Sequence, residues 1–163
     1  MKHPIQIRTA AQADISLLAR LIRDSFSNVA ERYGLNRQNC PKHPSNCSDQ
    51  WVARDMDRGV VYYILEESGL AKGCVAIEQA DANQCYLERL AVLPQFRKAG
   101  LGRALVMHVL DRARALDAEQ VGIGIMDQDT TLKSWYARLG FVETHTKTFA
   151  HLPFCVAFMK CAL

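Results

Sequence analysis

Apolar and polar positions change rhythm several times along the 163-residue chain, and each change marks an element. Gln6, Ile7 and Arg8 alternate as a short first strand does. Thr9 and Asp14 offer helix-start chemistry, and behind them Ile15, Leu17, Leu18, Leu21 and Ile22 recur at helical spacing. From Ser25 to about Val52 the stretch turns polar, carries Gly34, Pro41 and Pro44, and loses its period, so it reads as a loop with short helical pieces at 28–33 and 49–56. Alternation and apolar runs return after Gly59. Residues 60–66 and 73–78, with turn signals at Ser68-Gly69 and near Asp81 to Asn83, predict two antiparallel strands, and 85–93 adds a third.

A helical stripe comes next. Leu101, Leu105, Val109 and Leu116 share one face while Arg103, Asp111, Arg114 and Asp117 lie largely on the other, so an amphipathic helix runs from a pair of glycines to about Asp117 and rests on a sheet. The compact run 121–126 is a buried strand, expected parallel to the one before the helix. Residues 130–139 predict a helix closed by Gly140, where a left-handed residue is wanted, and 141–148 and 154–160 finish as two strands. The fold class is therefore α/β, with a mixed central sheet of about six to seven strands flanked by about four helices. One domain over 1–163 is expected, because a chain of this length buries most of its apolar surface in one core.

The link between the third of those strands and the long helix changes the picture most. Arg97-Lys98-Ala99-Gly100-Leu101-Gly102-Arg103 stands between a strand and a helix start, where unpaired N–H groups and a positive dipole end hold anions. Glycine lets backbone approach a ligand closely. A Walker-type loop would need Gly-Lys-Ser/Thr at its end, and a dinucleotide loop a third small residue where Leu105 stands. Both are excluded.

What remains, Arg97-x-x-Gly100-x-Gly102 directly after Val92-Leu-Pro94, resembles the acyl-CoA pyrophosphate loop of the GNAT superfamily of N-acetyltransferases. Ser134-Trp-Tyr-Ala-Arg-Leu-Gly-Phe141 is similar to that family's second signature, and the two occur in the family's order over a resemblance running from Ile5 to Lys160. The resemblance implies a GNAT-like sheet splayed at the acetyl-CoA site, with pantetheine along Leu90, Ala91 and Val92 and pyrophosphate over Arg97, Lys98, Ala99, Gly100, Leu101, Gly102 and Arg103. It implies acetyl transfer to a primary amine of a small molecule or protein by direct attack. Glu88 would be the base and Tyr136 the acid that protonates the leaving thiolate. Asp129 stands where the family often has a cofactor-contacting Asn; an ionised carboxylate accepts hydrogen bonds but donates none. The region after the first helix usually lines the acceptor side, which makes Asn28, Arg32, Tyr33 and His43 candidate acceptor contacts. Plainer readings stand beside these: Tyr136 as a core aromatic next to Trp135, and Glu88 as a solvated strand residue paired with Arg89 or Arg97. A non-catalytic acyl-CoA-binding sensor of the same fold is the alternative from a different class.

Composition narrows little further. A content of 49% apolar and 23% charged residues with net charge +3 is ordinary for a globular protein and gives no support to a nucleic-acid partner. The first residues carry no apolar leader core, and no uncharged run is long enough to span a bilayer, so a cytoplasmic protein without a membrane partner is expected. Its six cysteines are then reduced thiols. Cys40-x-x-His43-x-x-x-Cys47 offers three ligands where a closed zinc site needs four, so no metal is expected. Homodimer formation is left open.

Overall fold

In the computed structural model, which describes residues 3–163, a seven-stranded mixed sheet carries helices on both faces. The chain runs β1 (Ile5–Thr9), α1 (Ile15–Tyr33), α2 (Asp49–Asp57), β2 (Val61–Glu67), β3 (Leu70–Gln79) and β4 (Gln84–Val92). It continues through α3 (Leu101–Ala115), β5 (Gln120–Met126), α4 (Thr130–Arg138), β6 (Val142–Thr148) and β7 (Cys155–Ala162). In the sheet the strands stand in the order β1-β2-β3-β4-β5-β7-β6, and only the β4–β5 pair is parallel, as expected for a pair joined through a helix.

The first helix departs from the expectation. Rather than breaking at Ser25, α1 continues to Tyr33 and ends at Gly34, whose φ of 63° is left-handed and whose N–H returns to Ala30 and Glu31. The buried stripe does not stop; it passes from Leu21 and Ile22 to Ser25 and Ala30, which are small or polar and so hide the period. Likewise β3 starts at Leu70, ahead of Gly73. A Cβ at Gly73 would stand 2.5 Å from the Ala91 carbonyl oxygen, so the glycine is a close approach inside a strand rather than its beginning.

Leu87, Leu90 and Val92 of β4 pack toward α3 with Tyr63, Leu65 and Val75, whereas Ala91 faces α1 and α2 with Cys74 and Ala76. Glu88 pairs with Ala76 and shares that second face. The alternation is re-phased at a β-bulge, where the register slips between Cys74 and Ala76 and Arg89 takes a left-handed φ of 53°. The bulge sits where β4 leaves β5. Only Gln84, Cys85 and Tyr86 pair with Gln120, Val121 and Gly122; beyond them β5 follows β7 to Met126 while β4 follows β3 to Val92. A gap opens between two neighbouring strands in the middle of the sheet. All six cysteines are free, and no helix among the described residues is long and apolar enough to cross a membrane.

Candidate active site

The gap is bounded by backbone. Leu93 donates its N–H to Lys72 of β3, so by strand alternation Val92 turns its N–H and C=O the other way, into the gap. The Val92 carbonyl accepts from Arg97 Nε at 3.0 Å, and Arg97 Nη2 reaches the Ser25 carbonyl of α1 at 2.5 Å. Arg97, expected at the rim as a phosphate ligand, thus ties the free edge of β4 to α1.

A short 3-10 turn at Pro94–Phe96 leads from that edge to the start of α3. Lys98 (φ 65°) and Gly100 (φ 82°) are both left-handed, which aims the following N–H groups outward, and no side chain caps the helix. Lys98, Ala99, Gly100 and Arg103 are exposed. Gly102 has a second reason to lack a side chain: its Cβ would lie 3.3 Å from the Trp135 ring of α4 and 3.9 Å from Val92. Trp135 therefore closes over the start of α3. On the opposite flank an open cleft of about 480 Å3 runs between the loop and β1, floored by Lys72 over the Phe96 ring at 4.4 Å.

The two expected proton carriers lie on opposite faces of the gap. Tyr136 belongs to the α3 side, 4% exposed, edge-on to Phe141 at 5.3 Å and to Trp135 at 4.9 Å. Both the plain reading and the functional one describe it, since its ring is core while its hydroxyl has no protein hydrogen-bond partner among the described residues. Burial pushes its phenol up, so it stays protonated. Glu88 lies on the α1 and α2 side. Burial, followed by the facing carboxyl of Glu78, raises it to about 7, the range in which a carboxylate serves as a base near neutral pH.

The remaining expected residues scatter. Asp129 is the N-cap of α4, its Oδ1 accepting from Leu132 N–H at 3.0 Å. Asn28, Arg32 and Tyr33 lie on the last two turns of α1, and Asn28 Oδ1 is buried without a partner. His43 is 6% exposed; its Nδ1 takes the Ser45 N–H and hydroxyl, and its ring stands edge-on to Phe26. It braces the loop after α1, and burial lowers its proton affinity. Sequence reasoning named Arg89 beside Glu88 but missed the rest of the polar group behind it: Glu78, Arg58, Asp55 and Tyr62. The same-face placement of Glu78 on β3 and Glu88 on β4 was the available signal, but it needs the strand register, and Asp55, Arg58 and Tyr62 come from α2, its end and β2.

Comparison with known proteins bears on this arrangement. A family model described as "Acetyltransferase (GNAT) family" matches residues 20–141. An amino-acid acetyltransferase from Neisseria meningitidis is 31% identical over 141 residues, which is 84% of this chain but 27% of that protein, so the chain spans about a quarter of the curated relative. Among solved structures, the N-acetylglutamate synthase of Neisseria gonorrhoeae with coenzyme A and N-acetyl-glutamate is 24% identical with a TM-score of 0.69, covering 100% of this chain and 36% of that one. The ribosomal-protein-S18-alanine N-acetyltransferase of Escherichia coli is 16% identical with a TM-score of 0.75, covering 98% and 94%.

Proposed function

The chain belongs to the acetyltransferase (GNAT) family, and from that premise we propose that it is an acetyl-CoA-dependent N-acetyltransferase acting on a primary amine. The observation that carries this reading is the gap between β4 and β5 running straight into an uncapped helix start. An extended pantetheine arm fits as an extra strand beside Leu90, Ala91 and Val92, and its pyrophosphate meets the N–H groups at the start of α3, with Lys98 and Arg103 beside them. A β4 N–H facing the gap supports the charge that develops on the thioester oxygen.

The acceptor enters from the α1 and α2 face. Glu88, ionising near neutral pH, takes the proton of the ammonium, directly or through water, and the neutral amine attacks the thioester carbon. Tyr136, protonated and on the opposite face, gives its proton to the departing thiolate as the C–S bond breaks. The second proton of the amine nitrogen, released as the amide forms, restores the phenol through solvent. Asn28, Arg32 and Tyr33 line the acceptor side at the end of α1. An amino acid is the favoured acceptor because the curated relative is an amino-acid acetyltransferase, and a protein amine is the other class to test.

The test is thermal stability with acetyl-CoA, ATP and NAD added separately. A ligand at a hundredfold over its dissociation constant stabilises by about 2.7 kcal/mol, roughly 5 to 11 °C for a chain of this size. A shift with acetyl-CoA alone, followed by turnover across an amine panel, is expected; no shift with acetyl-CoA overturns the reading.

A further inference from the structure

Glu78 and Glu88 project from adjacent strands onto one face, two residues apart across the β3–β4 ladder, since Glu88 pairs with Ala76 and Glu78 with Tyr86. Two carboxylates that close do not both ionise freely. What surrounds them is unequal. Glu78 Oε1 receives Arg58 Nη1 at 2.6 Å, whereas among the described residues no cation bonds Glu88. Arg58 is itself held, its Nη2 donating to Asp55 Oδ1 at 2.8 Å, and Asp55 takes the Tyr62 hydroxyl on its other oxygen. Arg89, the one cation beside Glu88 on its own strand, leans over the Trp51 ring and lies 4.0 Å from Asp55.

We propose that Glu78 is a positioning residue for the base: fixed as the anion of the pair by Arg58, it assigns the shared proton to Glu88 and so sets the pH range over which Glu88 relieves the amine of its proton. This rests on Glu88 being the base. The facing groups act in two directions: Glu78 from β3 and Asp55 from α2 favour the protonated form of Glu88, and Arg89 opposes it. The asymmetry is the device, because a carboxyl pair in equal surroundings would split one proton between two sites and leave neither as a defined base.

The pair can be read without any substrate. In protein labelled with carbon-13 at glutamate carboxyls, with the Glu88 resonance assigned by its loss in Glu88→Gln, the wild-type midpoint is expected at about 7. Glu78→Gln should lower it by a pH unit or more, and Arg58→Met should lower it as well. The amine-panel assay should then show the acid limb of kcat/KM moving down with the Glu88 midpoint in Glu78→Gln. An ordinary wild-type midpoint, or one unmoved by both substitutions, overturns the pairing whatever the enzyme does. Midpoints that move under an unmoved acid limb overturn the positioning role and, with it, Glu88 as the base, while the acetyl-CoA stability shift continues to report the cofactor reading on its own.

Discussion

The two halves of β4 are built from one strand and end in different states. Cys85 and Tyr86 are paired with a strand on both edges, with Tyr86 lying over Gly122 so closely that a Cβ there would be 3.1 Å from its ring. Residues 87–92 keep only β3 as a neighbour, and their other edge faces a gap inside a seven-stranded sheet. Unpaired backbone groups in such a place cost free energy unless something accepts them. Arg97 takes up the Val92 carbonyl, and the remaining edge awaits an extended partner. The contrast teaches that the site is a deliberate failure to finish a sheet, begun by the bulge at Arg89 and held open by Trp135 and the loop at the start of α3.

The contrast is broken most severely by removing the chemistry of the open half. Glu88→Gln should reduce kcat/KM with a competent amine by roughly a hundred- to ten-thousandfold, leaving acetyl-CoA affinity in calorimetry unchanged because the edge stays intact. Tyr136→Phe should lower kcat by about a hundredfold, with a melting temperature close to wild type, since its hydroxyl has no protein partner among the described residues. Full turnover with an unaltered pH profile would remove its role as the acid. The scaffold of the open half is tested by Gly73→Ala, whose Cβ meets the Ala91 carbonyl; urea melts should show a loss of about 1 to 3 kcal/mol.

The smallest effect concerns pH. Glu88 is raised from 4.5 to about 7 in the fold, so the folded state binds more protons than the unfolded one between those values. Its contribution is therefore best at low pH, and stability is lost as pH rises from about 4.5 through 7. Glu88→Gln should gain on wild type above pH 7 by on the order of 1 kcal/mol, given the partial exposure of the group. Parallel melts at pH 5 and pH 8 check the sign.

Elements announced by strong periods were legible in the sequence: the strand at 121–126, the helix opened by the glycine pair, and the helix closed by Gly140 all stand where expected. The end of α1 was not, because Ser25 and Ala30 occupy its buried face without a large apolar side chain. The phosphate-type loop could be read because glycines at fixed offsets carry a backbone meaning, although part of Gly102's reason lies in Trp135, a residue brought to it by the fold. Glu88 could be named from its strand, yet its tuning depends on Glu78 and Arg58, which only pairing and a helix end bring near. Asp129 is also the N-cap of α4, a role its sequence position allowed but that shows only once the helix start is placed.

The bulge at Arg89 also makes the length of β4 consequential in a way its composition does not. Removing that single residue would set Leu90 directly after Glu88 and opposite Val75, restoring strict alternation while leaving each downstream side chain on the face it has now. Leu90 and Val92 would keep to the α3 core and Ala91 to the α1 face, but the left-handed kink near which β4 parts from β5 would be gone. Point substitutions along this strand can thus be tolerated one by one, while a one-codon deletion at Arg89 would keep the core and take away the bend beside the binding edge.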